Sequence, residues 1–238
     1  MKVLAIDTSA NVAAAAVTED DILLGEYILN HKKTHSQKIM VMIESLLNDL
    51  ELTVQDIDLF AVANGPGSFT GLRIGVATMK ALAHSVNKPI VGVSSLAGMA
   101  YNLPYAEHII VPIMDARKNR VYTASYIWDE GFKELTEPEA ITIEECVENC
   151  GEFLDTIFVG DGAIIHKEYI KEKLGEHAIF APAPALMQRA SSVAALAAQK
   201  AKKGKINNYL ELKPVYLRKS QAERELEEKE KAQRKEEE

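Results

Sequence analysis

The chain has 238 residues, 47% of them hydrophobic, and 35 acidic against 27 basic side chains leave a net charge of −8. That apolar content is ample for one large domain or two small lobes, and the acidic surplus argues against a protein that holds nucleic acid unaided, because neutralised phosphates supply much of such affinity. The longest apolar runs, such as Val12 to Val17, fall short of the ~20 residues of a membrane span. Asp7 interrupts the first apolar stretch too early for a signal peptide, so the sequence reads as cytoplasmic, with no membrane role.

Residues 2–6, 12–18 and 22–29 are rich in Val, Ile, Leu and Ala and read as strands. The turn formers Asp7-Thr8-Ser9-Ala10-Asn11 and Glu19-Asp20-Asp21 separate them, and such short connections predict an antiparallel meander. Ile39, Ile43, Leu46, Leu47 and Leu50 then recur at helical spacing, with Thr34 and Gln37 as a capping box. A buried strand at 59–63, a loop at 64–69, a helix at 70–86, a strand at 89–93 and a short helix at 96–101 follow. This alternation predicts an α/β lobe over 1–103, a mixed sheet led by a hairpin and flanked by helices.

A second lobe, 104–218, repeats the order without visible sequence repetition. Strands are expected at 109–114, 121–128 and 157–159, and helices at 143–149, 164–174 and 191–203. From Ser220 the composition changes to eight acidic and five basic residues with Leu226 the only large apolar side chain. The tail, 219–238, is expected to be disordered or a solvated helix held by Glu/Lys pairs.

The run Gly65-Pro66-Gly67-Ser68-Phe69-Thr70-Gly71 joins a buried strand to a helix N-terminus, where backbone N–H groups and the helix dipole favour an anion. It lacks the Gly-Lys-Ser/Thr ending of a P-loop, and a tight turn with Ser68 or Thr70 as cap accounts for it equally well. Gly75 inside the helix costs about 1 kcal/mol against alanine, so a backbone must pack closely on it, either the sheet or a partner chain. Ala77 and Ala81 line another face of that helix.

Asp7-Thr8-Ser9 could hold a magnesium phosphate, although an Asx or Ser/Thr turn is the simpler reading. Asp115 and Arg117 follow a strand end, where α/β folds collect ligands, and a surface ion pair explains them as well. His31 and His35 have metalloprotease spacing, but Lys32 stands where that motif has its glutamate. Cys146 and Cys150, four apart on a helix, read as two ordinary thiols without a second ligand pair. No nucleophile–base arrangement has positional support.

Together, Asp7-Thr8-Ser9, His35-Ser36, the run from Asn64 to Arg73, and Gly75 resemble the N-terminal pattern of the TsaB (YeaZ) family. Asp115-Ala116-Arg117, Val121-Tyr122, Gly160-Asp161-Gly162-Ala163 and Pro214-Val215-Tyr216-Leu217-Arg218 are similar to its later signatures. The resemblance spans Met1 to about Arg218 and implies a two-lobed actin-like ATPase (ASKHA) fold. It implies a non-catalytic paralogue of TsaD, the subunit that transfers a threonylcarbamoyl group to adenosine 37 of tRNAs reading codons that begin with adenine.

On this resemblance the chain binds and activates a TsaD-like subunit through its N-terminal lobe and helps recruit a TsaE-like ATPase. It meets tRNA only indirectly and pairs with itself when alone. No tightly bound cofactor or metal and no catalytic residue are expected, with ATP or ADP placed at the joint with the partner. The candidate partner or nucleotide residues are Asp7, Thr8, Ser9, His35, Ser36, Gly65, Pro66, Gly67, Ser68, Phe69, Thr70, Gly71, Arg73, Gly75, Ala81, Asp115 and Arg117. The catalytic paralogue carries a His-x-x-x-His metal motif where this chain has Ser95 and Met99, neither of which replaces an imidazole. Asp7-Thr8-Ser9 also lacks the glycine that actin-like ATPases bring close to phosphate. The rival readings are a stand-alone actin-like phosphotransferase or acyltransferase, a metallopeptidase built on His31 and His35, and a homodimeric module unrelated to tRNA.

Overall fold

The computed structural model describes residues 1–30, 35–151 and 154–218, side chains of 35–37 excepted. The expected capping box, the His31–His35 pair, the His35 and Ser36 side chains and the charged tail lie outside the described residues.

Strands β1 (Lys2–Asp7), β2 (Val12–Glu19) and β3 (Ile22–Asn30) form the expected antiparallel meander. Asp20, at φ 53°, closes the two-residue β2–β3 turn, a left-handed conformation that short polar side chains tolerate. After α1 (His35–Asp49), β4 (Leu59–Gly65) lies parallel to β1. Next come α2 (Phe69–Ser85), β5 (Ile90–Ser94), parallel to β4, and α3 (Ser95–Ala100). The sheet order is β3-β2-β1-β4-β5. Strands β1, β2 and β4 are buried on both faces, hence their unbroken Ala/Val/Ile character where a one-sided strand would alternate. Helices α1 and α2 cover one face, packing Ile39, Ile43, Val76 and Met79 on Leu4, Ile6, Phe60 and Val62.

The second half comprises β6 (Ile109–Asp115), β7 (Arg120–Thr123), β8 (Tyr126–Trp128), β9 (Phe132–Glu134), β10 (Glu139–Thr142) and α4 (Ile143–Cys150). It continues with β11 (Thr156–Val159), α5 (Asp161–Ile165), α6 (Lys167–Leu174), β12 (Ala178–Phe180), α7 (Ala183–Leu186) and α8 (Ala190–Lys202). The main path of its sheet, β10-β7-β6-β11-β12, repeats the first: a central leading strand, antiparallel neighbours on one side, parallel ones on the other. The single strand expected over 121–128 is broken because β7 pairs with β10 whereas β8 pairs with β9. At the break Ser125 donates its N–H to Thr136 Oγ1 at 2.9 Å, and its carbonyl accepts from Leu135 N at 2.8 Å. The helix expected over 164–174 is two helices that meet at His166.

Helix α8 does not finish the second sheet. It covers the other face of the first, with Val193, Ala194 and Ala197 against Val3, Ala5, Ala14, Ala16 and Ala61, small side chains that allow close approach. Glu26 of β3 fastens its start, accepting from Ser191 N at 2.9 Å, Ser191 Oγ at 2.8 Å and Arg189 Nε at 3.1 Å. Beyond α8 the chain runs back along both lobes. Asn207 bridges to Ile90, Leu212 enters the first core, and Leu217 packs on the core of the second. Among the described residues no helix is long and apolar enough to cross a membrane.

Candidate functional site

A cleft of ≈ 360 Å³ opens between the two sheets at the carboxyl ends of their leading strands, the edge at which open α/β sheets gather ligands. One wall is the β1–β2 turn (Ser9, Ala10, Asn11) and the β4–α2 loop (Gly67, Ser68, Phe69, Thr70). The other is the end of β6 and its turn (Met114, Asp115, Ala116, Arg117), Tyr122 of β7 and Asp161 at the start of α5.

The glycine loop takes its shape from what it touches. Gly67, at φ 155°, lies so near the β1–β2 turn that a Cβ would sit 2.3 Å from the Ser9 carbonyl oxygen. Ser68 N donates to that same oxygen at 2.7 Å. Ser68 Oγ accepts from Gly71 N at 3.3 Å and caps α2. The cap is therefore formed, and it sets the exposed Ser68 and Thr70 hydroxyls in the cleft at a helix N-terminus. A Cβ on Gly71 would meet the Thr8 carbonyl oxygen at 2.0 Å, and one on Gly75 would meet Thr8 Oγ1 at 2.3 Å. The close backbone expected at Gly75 is thus found at Gly71 instead, and what requires Gly75 is the Thr8 side chain beside the first sheet.

Asp7 lies beneath this wall and does not line the cleft. It is 1% exposed, and its Oδ1 accepts from Ser9 N at 2.8 Å and Ser9 Oγ at 2.6 Å, the Asx turn weighed above. Its Oδ2 has no hydrogen-bond partner. Burial pushes its pKa up to about 6, against the pull of the Ser9 hydrogen bonds. Thr8 is equally buried and donates Oγ1–H to the Gly71 carbonyl at 2.8 Å. Of the three turn residues, Ser9 alone reaches the cleft.

On the facing wall, Asp115 Oδ1 accepts from Arg117 N at 2.8 Å within a turn whose residues 117–119 all have φ between 54° and 63°. Asp161 Oδ1 accepts from Gly162 N at 3.0 Å and Asp115 N at 3.3 Å, and burial raises its pKa. Asp161 stands within the Gly160-Asp161-Gly162-Ala163 signature, but nothing in its spacing marks it as a cleft residue. Two carboxylates facing serine and threonine hydroxyls and a helix N-terminus suit a cation-bound phosphate better than a bare anion.

The returning C-terminal segment straps the cleft. Val215 N donates to the Asn64 carbonyl at 2.7 Å, and a Cβ on Gly65 would meet the Val215 carbonyl oxygen at 2.2 Å. Tyr216 stacks on Phe69 with centroids 4.0 Å apart and planes 4° from parallel. Arg73 donates Nε–H to Tyr216 OH at 3.0 Å, and Arg218 donates from Nη1 to the Ala116 carbonyl at 2.6 Å, on the opposite wall. Pro66 is buried behind the loop, while Ala81 and Ala77 are exposed on the outer face of α2, outside the cleft lining. Ser95 and Met99, on α3, are both fully buried, and Met99 Sδ accepts from Gln188 Nε2 at 3.3 Å. Among the described residues no group of three or more His, Cys, Asp or Glu side chains is placed to hold a metal ion.

Residues 23–226 match the family described as TsaD: tRNA N6-adenosine threonylcarbamoyltransferase. The tRNA threonylcarbamoyladenosine biosynthesis protein TsaB of Bacillus subtilis is 37% identical over 225 residues, covering 94% of this chain and 96% of that protein. The structure of YeaZ from Pseudomonas aeruginosa superimposes with TM-score 0.74 at 23% identity, over 90% of this chain and 100% of that one. The ADPNP-bound activator of 2-hydroxyisocaproyl-CoA dehydratase from Clostridium difficile superimposes with TM-score 0.51 at 12% identity, over 90% and 99% of the two chains. The fold is the expected actin-like ATPase fold.

Proposed function

The chain belongs to the TsaB (YeaZ) family, and from that premise we propose that it is the non-catalytic partner of a TsaD-like subunit that transfers a threonylcarbamoyl group to adenosine 37 of tRNA. The observation that carries this reading is what fills the metal position expected of the catalytic paralogue. Ser95 and Met99 are sealed in the core, and the Met99 sulfur is engaged by Gln188. A buried thioether and hydroxyl there support a packing role and no Lewis-acid chemistry.

The partner surface is the outer face of α1 and α2. On α1 Met40 and Val41 are 47% and 57% exposed whereas Met42 is buried, and on α2 Ala77 and Ala81 are exposed. An adaptable methionine and small side chains suit the approach of another helix, and the same face serves self-pairing when the partner is absent. A TsaE-like ATPase joins the pair, and ATP or ADP sits at the joint. The contribution to transfer is to hold the catalytic subunit in its competent arrangement.

Copurification with a TsaD-like protein from the same cell tests the pairing, and Ala81→Glu should weaken it well over tenfold, because a carboxylate would be buried unpaired. An unchanged affinity and an unchanged mass by light scattering would refute the assignment. In a reconstituted transfer assay, Asp115→Ala should regain most of the rate when saturated with the catalytic subunit. A folded variant that binds at full affinity yet loses turnover about a thousandfold, the scale of a lost reacting group, would overturn the non-catalytic reading.

A further inference from the structure

Away from the cleft, α4 borders a second cavity of ≈ 370 Å³ whose lining includes both cysteines, Thr123, Glu139 and Asn149. We propose that Cys146 and Cys150 form a two-thiolate site for a soft d10 metal ion of the Cu(I) type, reached through this cavity. Neither thiol is in a disulfide, and both are buried, Cys146 to 2% and Cys150 to 9% exposure. Residues four apart on a helix have Cβ atoms ~5–6 Å apart on one face. Two opposed metal–thiolate bonds of ~2.3 Å span ~4.6 Å, so the pair can bracket one ion without moving the helix.

The surroundings select the ion. Cys146 Sγ donates to Thr123 Oγ1 at 3.7 Å, and once that proton is lost the hydroxyl can rotate to donate to the thiolate. The Cys150 thiol is turned back along α4 toward Cys146, donating to its carbonyl at 3.2 Å. Glu139, in the same lining, draws a cation inward. No third Cys, His or carboxylate is placed to complete a cluster among the described residues, which disfavours zinc and its four ligands and leaves a thiophilic ion content with two. On binding, each S–H bond breaks and releases a proton to solvent, two S–Cu bonds form, and copper stays Cu(I). No oxidant or reductant is involved.

The full chain, reduced and under anaerobic conditions, is titrated with Cu(I) against a chromogenic Cu(I) chelator. One ion per chain is expected, together with a rise in melting temperature from binding to the folded state. Cys150→Ala and Cys146→Ala should each weaken binding by at least about a hundredfold, with circular dichroism confirming the fold. Should Cys146→Ala not fold, Cys150→Ala at the more exposed position decides alone. Wild-type affinity in a folded single variant, no copper uptake against the chelator, or Zn(II) bound as tightly as Cu(I) would each overturn the proposal.

Discussion

Replacing Gly75 by alanine probes the packing of α2 against the β1–β2 turn. The new methyl would sit 2.3 Å from Thr8 Oγ1, while its other contacts, Val62 Cγ2 at 3.5 Å and Thr8 Cβ at 3.6 Å, are ordinary. Thr8 cannot swing aside freely, because its hydroxyl donates to the Gly71 carbonyl at 2.8 Å. Overpacking of this kind costs about 1–3 kcal/mol, and removing glycine from a helix interior returns about 1 kcal/mol. The hydroxyl it meets is tied down, which puts the clash at the upper end of that range, so the net loss should be about 1–2 kcal/mol, a fall of about 2–8 °C in melting temperature for a chain of this size. Thr8→Ala alone should cost about 1 kcal/mol for its hydrogen bond. In that background the clash is gone, so Gly75→Ala should stabilise by up to about 1 kcal/mol. The sign reversal, read as a coupling of about 2 kcal/mol in a double-mutant cycle by thermal and urea denaturation, is the signature. A neutral or stabilising Gly75→Ala in the wild-type background would refute the argument and return Gly75 to the partner surface.

Asp7 predicts a pH dependence. Its folded pKa of about 6 exceeds the unfolded value of about 3.9, so the folded chain binds the extra proton between the two. Stability should fall by roughly 3 kcal/mol as pH rises through that window. Asp7→Asn should abolish that component, so its stability relative to wild type should rise from pH 4 to pH 7; an equal difference at both would refute the assignment. Glu26→Ala removes the acceptor for Ser191 and Arg189 at the start of α8 and should destabilise by about 1–3 kcal/mol, since it leaves the Ser191 N–H and hydroxyl and the half-buried Arg189 without their partner. Urea denaturation showing less than about 0.5 kcal/mol, the range of surface changes, would show that α8 is held by its alanine face alone.

Much of the first lobe was legible in the residues themselves. Unbroken apolar runs separated by short polar turns admit little besides a buried meander, and the i, i+3, i+4 spacing of Ile39, Ile43 and Leu46 admits little besides a helix on it. The glycine loop announced itself because only glycine accepts the conformation of Gly67 and the approach of Gly71 to Thr8. Tertiary structure decided matters in which local sequence has no preference. The alanine-rich face of α8 fits any surface of small side chains, and the choice of the first sheet rests on Glu26, more than 160 residues away in the chain. Short strands such as β9 and β10 exist only because partners pair with them, and Asp7 could not be told from a cleft ligand until Ser9 was seen to fold over it. The cleft itself joins Ser9, Ser68, Asp115 and Asp161 from four separate turns. Their distance along the chain carries no local signal, because only the packing of the two sheets brings those turns together.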